Sequence, residues 1–491
     1  MSALRTDLRG ARLLVLNWRD VRHPQSGGAE QYMHRIATRW VQSGAHVTWL
    51  TARPAGQPAR EVIDGVHVMR AGSTLSVYAR TAARLLRSRG HFDAVVDCQN
   101  GIPFFAPLFV GSETPVVQVV HHVHQDQFAT QFSRPMAAVG RFLEGPVARW
   151  AYGQRAIAAV SPSTRLELRR RLGFTGPVFV VPNGTDPVGP HGLVDRAPTP
   201  TIAVVSRLVP HKRLDLLLGH LATVVDQVPD LQVEIAGDGP ERSRLQALVA
   251  DLGLQSTVRL HGRVSDEERD ELMSRAWLTI STSAAEGWGC TVIEAAAWGV
   301  PCLALEVPGI RDSVLDGETG WLVEQEADFG RALVAAFDHL RDRDRAQAMA
   351  AACRSWAGCF SWDRSADLLG AVVLEEMRAS AAHQGKRTLQ HRAARSDMAV
   401  VVDFPASTDV DARSLLRSTD EVVRLPDRTS VVLSGCDEFD APAVLARLGV
   451  REGRVRLADR RLLLAGPAAP PAPEVDGERL ALGKLVMGRS A

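Results

Sequence analysis

The stretch LLVLNWRDVRHPQSGGAEQYMHRIATRWVQSGAHVTWLTA (13–52) joins a short apolar run, a polar loop ending in a glycine pair, a helical pattern and a second apolar run. The helix is legible from Tyr32, Met33, Ile36, Ala37, Trp40 and Val41, whose spacing puts them on one face. Gly44 stands where a helix C-terminal glycine belongs. The flanking runs LLVLNW (13–18) and HVTWLTA (46–52) are too short and too continuously apolar for half-exposed strands. Buried on both faces, such runs belong to a parallel sheet, and strand, helix and strand in that order are one βα repeat.

Working outward, AVVDCQN (94–100), VVQVVHH (116–122), AIAAVSP (156–162) and VFVVPNG (178–184) continue the alternation. It breaks at DPVGPHGLVDRAPTPT (186–201). It restarts with IAVVSRL (202–208), LQVEIAGDG (231–239), VRLHGRV (258–264), WLTISTS (277–283), PCLALEV (301–307) and GWLVE (320–324). The expected architecture is α/β: two Rossmann-like doubly wound domains, 1–190 and 191–360, facing each other across a cleft. Ligands bind such sheets at the carboxyl ends of the strands. A helix follows at 361–380, then a polar, basic linker at 381–397. A small α+β appendage at 398–491 carries AVVVDF, VVRL, SVVLSG and a helical APAVLARLG, with loop or disorder after Pro467.

The 491 residues fit about three domains at ~150 residues each. Lys+Arg number 57 and Asp+Glu 56, so no basic excess supports a nucleic-acid partner. The six cysteines form no C-x-x-C pair, which fits reduced thiols better than a disulfide framework or a zinc site. Neither a secretory signal nor an apolar run of ~18 residues is present. The chain is therefore expected in the cytoplasm, with peripheral contact at the inner membrane surface left open. The basic helix RLELRRRLG (165–173) is weighed for that contact, although a solvated face is favoured. All but three of the basic residues are Arg, and Lys212 is the sole Lys before Lys386.

Four motifs carry chemistry. Gly27 and Gly28 precede a helix N-terminus, where free amides suit an anion, although a glycine pair there is more often only a turn. VVSRLVPHKRLD (204–215) delivers Arg207 and Lys212 from the end of a strand, where two cations could clamp a diphosphate. EGWGCTVIEAAAWGVP (286–301) sets Glu286 and Glu294 on either side of Gly287, Trp288 and Gly289, with a helix beginning near Cys290. Carboxylates for hydroxyls and amides for phosphate thus sit together. AGDGP (236–240) is no dinucleotide fingerprint, since Arg242 occupies the third glycine position; a tight turn is expected. In HHVH (121–124), strand alternation sends His121 and His122 to opposite faces, which argues against a metal cluster.

Together G-G-A-E (27–30), S-R-L-V-P-H-K (206–212), G-D-G-P (237–240), H-G-R-V (261–264), E-G-W-G…E (286–294) and D-G-E-T-G-W-L-V (316–323) resemble the retaining glycosyltransferases of family 4, which have a GT-B fold. The resemblance covers roughly residues 10–380. It implies that Arg207 and Lys212 hold the donor diphosphate and stabilise the leaving group. Glu286 meets donor-sugar hydroxyls, and Trp288, Gly289, Cys290 and Thr291 offer backbone amides. Glu294 binds the ribose, Arg263 and Val264 flank the nucleobase, and Gly28 belongs to a glycine loop near the diphosphate. His121 is the best match to a histidine near the anomeric carbon, with His122 and His124 as alternatives. His211 stands where the family often has Glu, and Arg213 where it often has Gly. The implied reaction is transfer from a nucleotide diphosphate sugar to a glycan or lipid-linked acceptor with retention, by same-face attack in which the leaving phosphate helps deprotonate the acceptor. It uses no metal and no separate cofactor. A nucleotide-sugar epimerase or phosphorylase, and a binding regulator without turnover, are the competing expectations. Residues 415–448 are also similar to the second half of a diguanylate-cyclase-type domain, but the hairpin tip is P-D-R-T (426–429) and G-C-D-E-F (435–439) is displaced. That resemblance implies an interaction or structural appendage.

Overall fold

The computed structural model describes residues 6–188, 196–382, 399–406, 416–436, 444–446, 448, 450 and 453–468. These fall into two compact units. One runs to Gly184 and resumes at Ser361; the other is Thr185–Phe360.

The first unit is built on eight strands: β1 (Arg12–Leu16), β2 (His46–Thr51), β3 (Arg60–Ile63), β4 (Val66–Arg70), β5 (Ala94–Gln99), β6 (Val116–Val120), β7 (Ile157–Ala159) and β8 (Val178–Val180). Their order is 3-4-2-1-5-6-7-8, and every neighbouring pair is parallel except β3 with β4. The central strands β5 and β6 are buried along their whole length, as their runs of valine require. The β3–β4 hairpin is absent from the sequence expectation. It turns at Asp64 and Gly65, both at positive φ, and Asp-Gly is a two-residue hairpin signal. Its strands are not continuously apolar but expose Arg60, Val62 and His67, and β4 ends in Arg70, whose buried guanidinium pairs with Asp20 at 2.6 Å and Glu61 at 2.8 Å.

In the second unit, β9 (Thr201–Val205), β10 (Gln232–Ala236), β11 (Val258–Gly262), β12 (Leu278–Ser281), β13 (Cys302–Leu305) and β14 (Gly320–Val323) form an all-parallel sheet in the order 11-10-9-12-13-14. In each sheet the chain winds outward from its starting strand and then returns to that strand's other side. The switch points are therefore β1/β5 and β9/β12, where doubly wound sheets bind ligands.

The long helix Trp362–Ala382 packs on the first unit. Trp40 Nε1 donates to the Ala366 carbonyl at 3.0 Å, and Arg39 pairs with Asp363 at 2.6 Å. The appendage joins the same unit. Its strands β15 (Ala399–Pro405), β16 (Glu421–Arg424), β17 (Arg428–Ser434) and β18 (Arg454–Leu457) form an antiparallel sheet in the order 16-17-15-18 around Val400, Val402, Phe404, Val431 and Leu433. Arg364 Nε and Nη2 each donate to the Glu421 carboxylate at 3.1 Å. The helix extends through residues 381–382 of the expected linker. The rest of that linker, residues 437–439 of G-C-D-E-F, most of the helical APAVLARLG and the stretch after 468 lie outside the described residues. Among the described residues no helix is long and apolar enough to cross a membrane.

Candidate functional site

The loops after β9 and β12 are stitched together. After β9 the chain makes a 3₁₀ turn at Pro210–Lys212, and Arg213 leads into the helix Leu214–Val224 at φ 51°. That left-handed conformation is the physical sense of the family's glycine at this position; Arg213 adopts it while its guanidinium pairs with Glu326. The Thr282 hydroxyl donates to the Lys212 and Arg213 carbonyls, each at 3.0 Å, and the Ala284 N–H donates to the His211 carbonyl at 2.8 Å.

This scaffold brings Lys212 Nζ onto Glu286 Oε1, and the Ser283 hydroxyl donates to the same oxygen at 2.8 Å. Burial acts to raise the Glu286 pKa. The charge and hydrogen bond of Lys212, then Ser283 and His211, outweigh it and hold the carboxyl below its usual range. Glu286 is thus an ionised acceptor with a fixed cation beside it. Arg207, on the loop that leaves β9, is exposed, and its guanidinium has no partner among the described residues.

Gly237 and Gly239 also prop this loop, beside the turn closed by the Arg242 N–H on the Gly239 carbonyl at 3.1 Å. A Cβ on Gly237, at φ 142°, would lie 1.7 Å from the Ser206 carbonyl oxygen, and one on Gly239 would lie 2.3 Å from that of Leu208. The backbones run together there, with the Leu208 N–H donating to the Asp238 carbonyl at 3.0 Å.

A second pole forms around Glu294. The helix Cys290–Ala297 begins where expected, behind Gly289 at φ 92°. Glu294 is half-buried and its carboxylate has no hydrogen-bond partner among the described residues. Burial raises its pKa, Arg269 offsets part of this, and Asp186, Asp270 and Asp266 add to it. Asp266, Arg269 and Asp270 lie on the helix Asp266–Arg275, which follows Arg263 and Val264. Glu294 is therefore within electrostatic reach of the helix that follows the segment expected at the nucleobase. No hydrogen bond or ion pair joins exposed Arg263 or Val264 to Lys212 or Glu286. The Trp288 ring is buried, edge-on to Phe360 at 5.0 Å. Cys290 and Thr291 open the helix.

In the first unit, the amide of Gly27 is not free. It donates to Glu30 Oε2 at 2.7 Å, a capping contact three residues ahead. Wholly buried Glu30 also accepts from Arg19 Nε at 3.0 Å and Asn100 Nδ2 at 3.1 Å, and Asn100 donates to Asn17 at 3.0 Å. Asn17 follows β1 and Asn100 follows β5, so these bonds tie together the two loops at the β1/β5 switch point. Sequence reasoning missed Asn17, Arg19 and Asn100; Asn100 was signalled only by its place at the end of AVVDCQN.

His121 follows β6 and lies edge-on to Tyr32, ring centroids 4.8 Å apart. Burial, with a smaller effect of His124, pushes its pKa down to about 3, and its Nε2 has no hydrogen-bond partner among the described residues. His122 turns instead to His124, with ring centroids at 5.2 Å. Among the described residues no cluster of three or more His, Cys, Asp or Glu is arranged to hold a metal.

Comparisons with known proteins span both units. Residues 26–188 match the model described as Glycosyltransferase Family 4, and residues 194–356 match Glycosyl transferases group 1. A protein of Mycolicibacterium smegmatis named GDP-mannose-dependent alpha-(1-6)-phosphatidylinositol monomannoside mannosyltransferase is 30% identical over 333 residues, covering 66% of this chain and 72% of that one. A D-inositol 3-phosphate glycosyltransferase of Streptomyces avermitilis is 33% identical over 198 residues, 38% of this chain and 42% of its own. Among solved structures, sucrose-phosphate synthase from Thermosynechococcus elongatus superposes with a TM-score of 0.62 at 19% identity, over 75% of this chain and all of that one, which supports the fold. These matches, with two mainly parallel sheets, define a GT-B glycosyltransferase that uses a nucleotide sugar. Within that class, the chain belongs to glycosyltransferase family 4.

Proposed function

We propose that this enzyme transfers a hexose from a nucleotide diphosphate sugar, with retention at the anomeric carbon, to a glycan or lipid-linked acceptor. The carrying observation is the Lys212–Glu286 pair at the β9/β12 switch point, with unpartnered Arg207 on the same loop. Negative charge grows on the diphosphate as the glycosidic bond breaks. Arg207, Lys212 and the amides of Cys290 and Thr291 are assigned to stabilise it, so the positive charge comes from side chains rather than a metal. Glu286 accepts from sugar hydroxyls, and Glu294 accepts from the ribose diol. Arg263 and Val264 are assigned to the base. His121, being neutral, suits hydrogen bonding to the reacting sugar better than charge pairing. The Mycolicibacterium relative is named for GDP-mannose and for an inositol lipid, which makes GDP-mannose the first donor to test.

A panel of nucleotide sugars, incubated with phosphatidylinositol-type lipids and soluble glycans in EDTA, tests the reading. We expect turnover of one donor and, by NMR, a product with the donor's anomeric configuration. Binding without turnover points to a regulator, and an inverted product ends the retention assignment.

The raised pKa of Glu294 sets a pH dependence. Its carboxylate is lost as pH falls through a value above the ordinary ~4.3 of a glutamate. Calorimetric affinity for the nucleotide diphosphate should therefore weaken on acidification before an ordinary carboxylate would titrate. Glu294→Gln should weaken binding about tenfold or more at neutral pH and abolish that inflection, the scale of a hydrogen bond to a charged group. An unchanged acid limb in Glu294→Gln removes Glu294 from the ribose role.

A further inference from the structure

Between β6 and β7 the chain carries the helix Arg134–Phe142, a π-helical turn Leu143–Val147 and the short helix Ala148–Tyr152. Isolated exposed apolar side chains are ordinary, but this segment gathers several. Met136, Val139, Phe142 and Trp150 are all more than half exposed, Trp150 at 71%. Arg134, Arg141 and Arg149 stand among them, also exposed. None of the three pairs with a carboxylate among the described residues; Arg141 and Arg149 lean on the carbonyls of Gln125 and Leu172. Glu144 is the one acidic residue of the segment, and it is wholly buried. It accepts the His124 N–H at 2.6 Å and Gln125 Nε2 at 2.7 Å. The outward surface is therefore apolar and cationic, with no negative charge of its own.

We propose that this face docks on a bilayer of anionic phospholipid. Phe142, Trp150, Met136 and Val139 enter the boundary between headgroups and acyl chains, and the three arginines meet lipid phosphates. Charge selects this occupant over a second copy of the chain. A two-fold contact apposes the same patch on both copies, and here it would bring arginines together with no carboxylate to separate them. The helix 162–170, basic in sequence, is a poorer candidate. Arg169 is bound to the Phe174 carbonyl at 2.7 Å, and Arg171, just beyond it, pairs with Asp126 and Glu167. The docking face and the candidate histidine are also mechanically joined, because Glu144 grips the loop that starts at His121.

The test is flotation of the full chain, without donor, on vesicles of phosphatidylglycerol in phosphatidylcholine and on phosphatidylcholine alone. We expect binding to the anionic vesicles and on the order of 100-fold weaker binding to neutral ones, since three cations near the surface are at stake. Phe142→Glu/Trp150→Glu, at two exposed positions, should keep its circular dichroism and lose at least about tenfold in vesicle affinity. Failure of the unaltered chain to float on anionic vesicles overturns the proposal, as does undiminished flotation of the double variant. A concentration-dependent dimer that the double variant abolishes assigns the face to a second copy instead. Donor hydrolysis by the same preparations, measured without vesicles, separates a failed docking face from a failed transferase reading.

Discussion

Lys212→Ala is expected to lower kcat/KM for sugar transfer by about 10²–10³-fold, the scale seen when one donor to a developing negative charge is removed. The protein should stay folded. The loop is held by backbone acceptors, through Thr282 Oγ1 to the Lys212 and Arg213 carbonyls and through the Ala284 amide to His211, and none of these uses the lysine side chain. Removing the ammonium has a second consequence. Burial acts to raise the Glu286 pKa, and Lys212 is the first of the groups that overcome it. Without Lys212 the carboxyl titrates higher, so the residual activity of Lys212→Ala should fall earlier on the acid side than that of the parent enzyme. Glu286→Gln keeps a partner for Ser283 but loses the charge, and should show the rate loss without that acid limb.

Lys212→Arg separates charge from shape. It keeps Glu286 ionised, so the acid limb should match the parent. Yet a planar fork on a longer stem does not place its charge where a compact ammonium sits. Transfer should still drop substantially, with unfolding by urea nearly unchanged. In a chain whose first 385 residues contain one lysine, this is the sharpest check that its presence is chemical. Full transfer by Lys212→Ala removes the residue from the site. Full transfer by Lys212→Arg shows that charge alone suffices.

Much of this was readable from residues alone, and the gaps have physical causes. The valine-rich runs gave both sheets because a strand buried on two faces has a near-continuous apolar signal. The β3–β4 hairpin escaped because its strands are short and half-exposed, with Arg60, Glu61 and His67 among their apolar residues, although Asp64–Gly65 marked the turn. The pairing of Lys212 with Glu286 spans 74 positions and follows from strand order, which no local pattern encodes. The free amide expected at Gly27 was lost to Glu30, a contact whose three-residue spacing was present in G-G-A-E. The packing of Trp362–Ala382 on the first unit, through Trp40 and Asp363, is likewise invisible to periodicity, which shows that a helix has an apolar face but not what covers it.

Gly237→Ala carries the largest expected structural effect at the site, with a loss of several kcal/mol in unfolding free energy and of donor binding together. Two terms act. At φ 142° an L side chain is strained, at about 1–3 kcal/mol for such a region. The new Cβ would also fall 1.7 Å from the Ser206 carbonyl oxygen and 2.8 Å from its carbon, and both are backbone atoms that no rotamer change can clear. The β9 and β10 ends must separate, which displaces the loop bearing Arg207 and Lys212. Gly253→Ala isolates the first term. Its φ of +70° carries the left-handed penalty, about 1–2 kcal/mol, but its Cβ would meet nothing within 4 Å. Urea unfolding and calorimetric donor affinity should thus diverge between the two. Gly253→Ala loses modest stability and keeps its affinity, whereas Gly237→Ala loses both. If Gly237→Ala matches Gly253→Ala in stability and binds donor normally, the loop after β9 does not depend on its contact with Gly237, and the proposed placing of Arg207 and Lys212 does not rest on that contact.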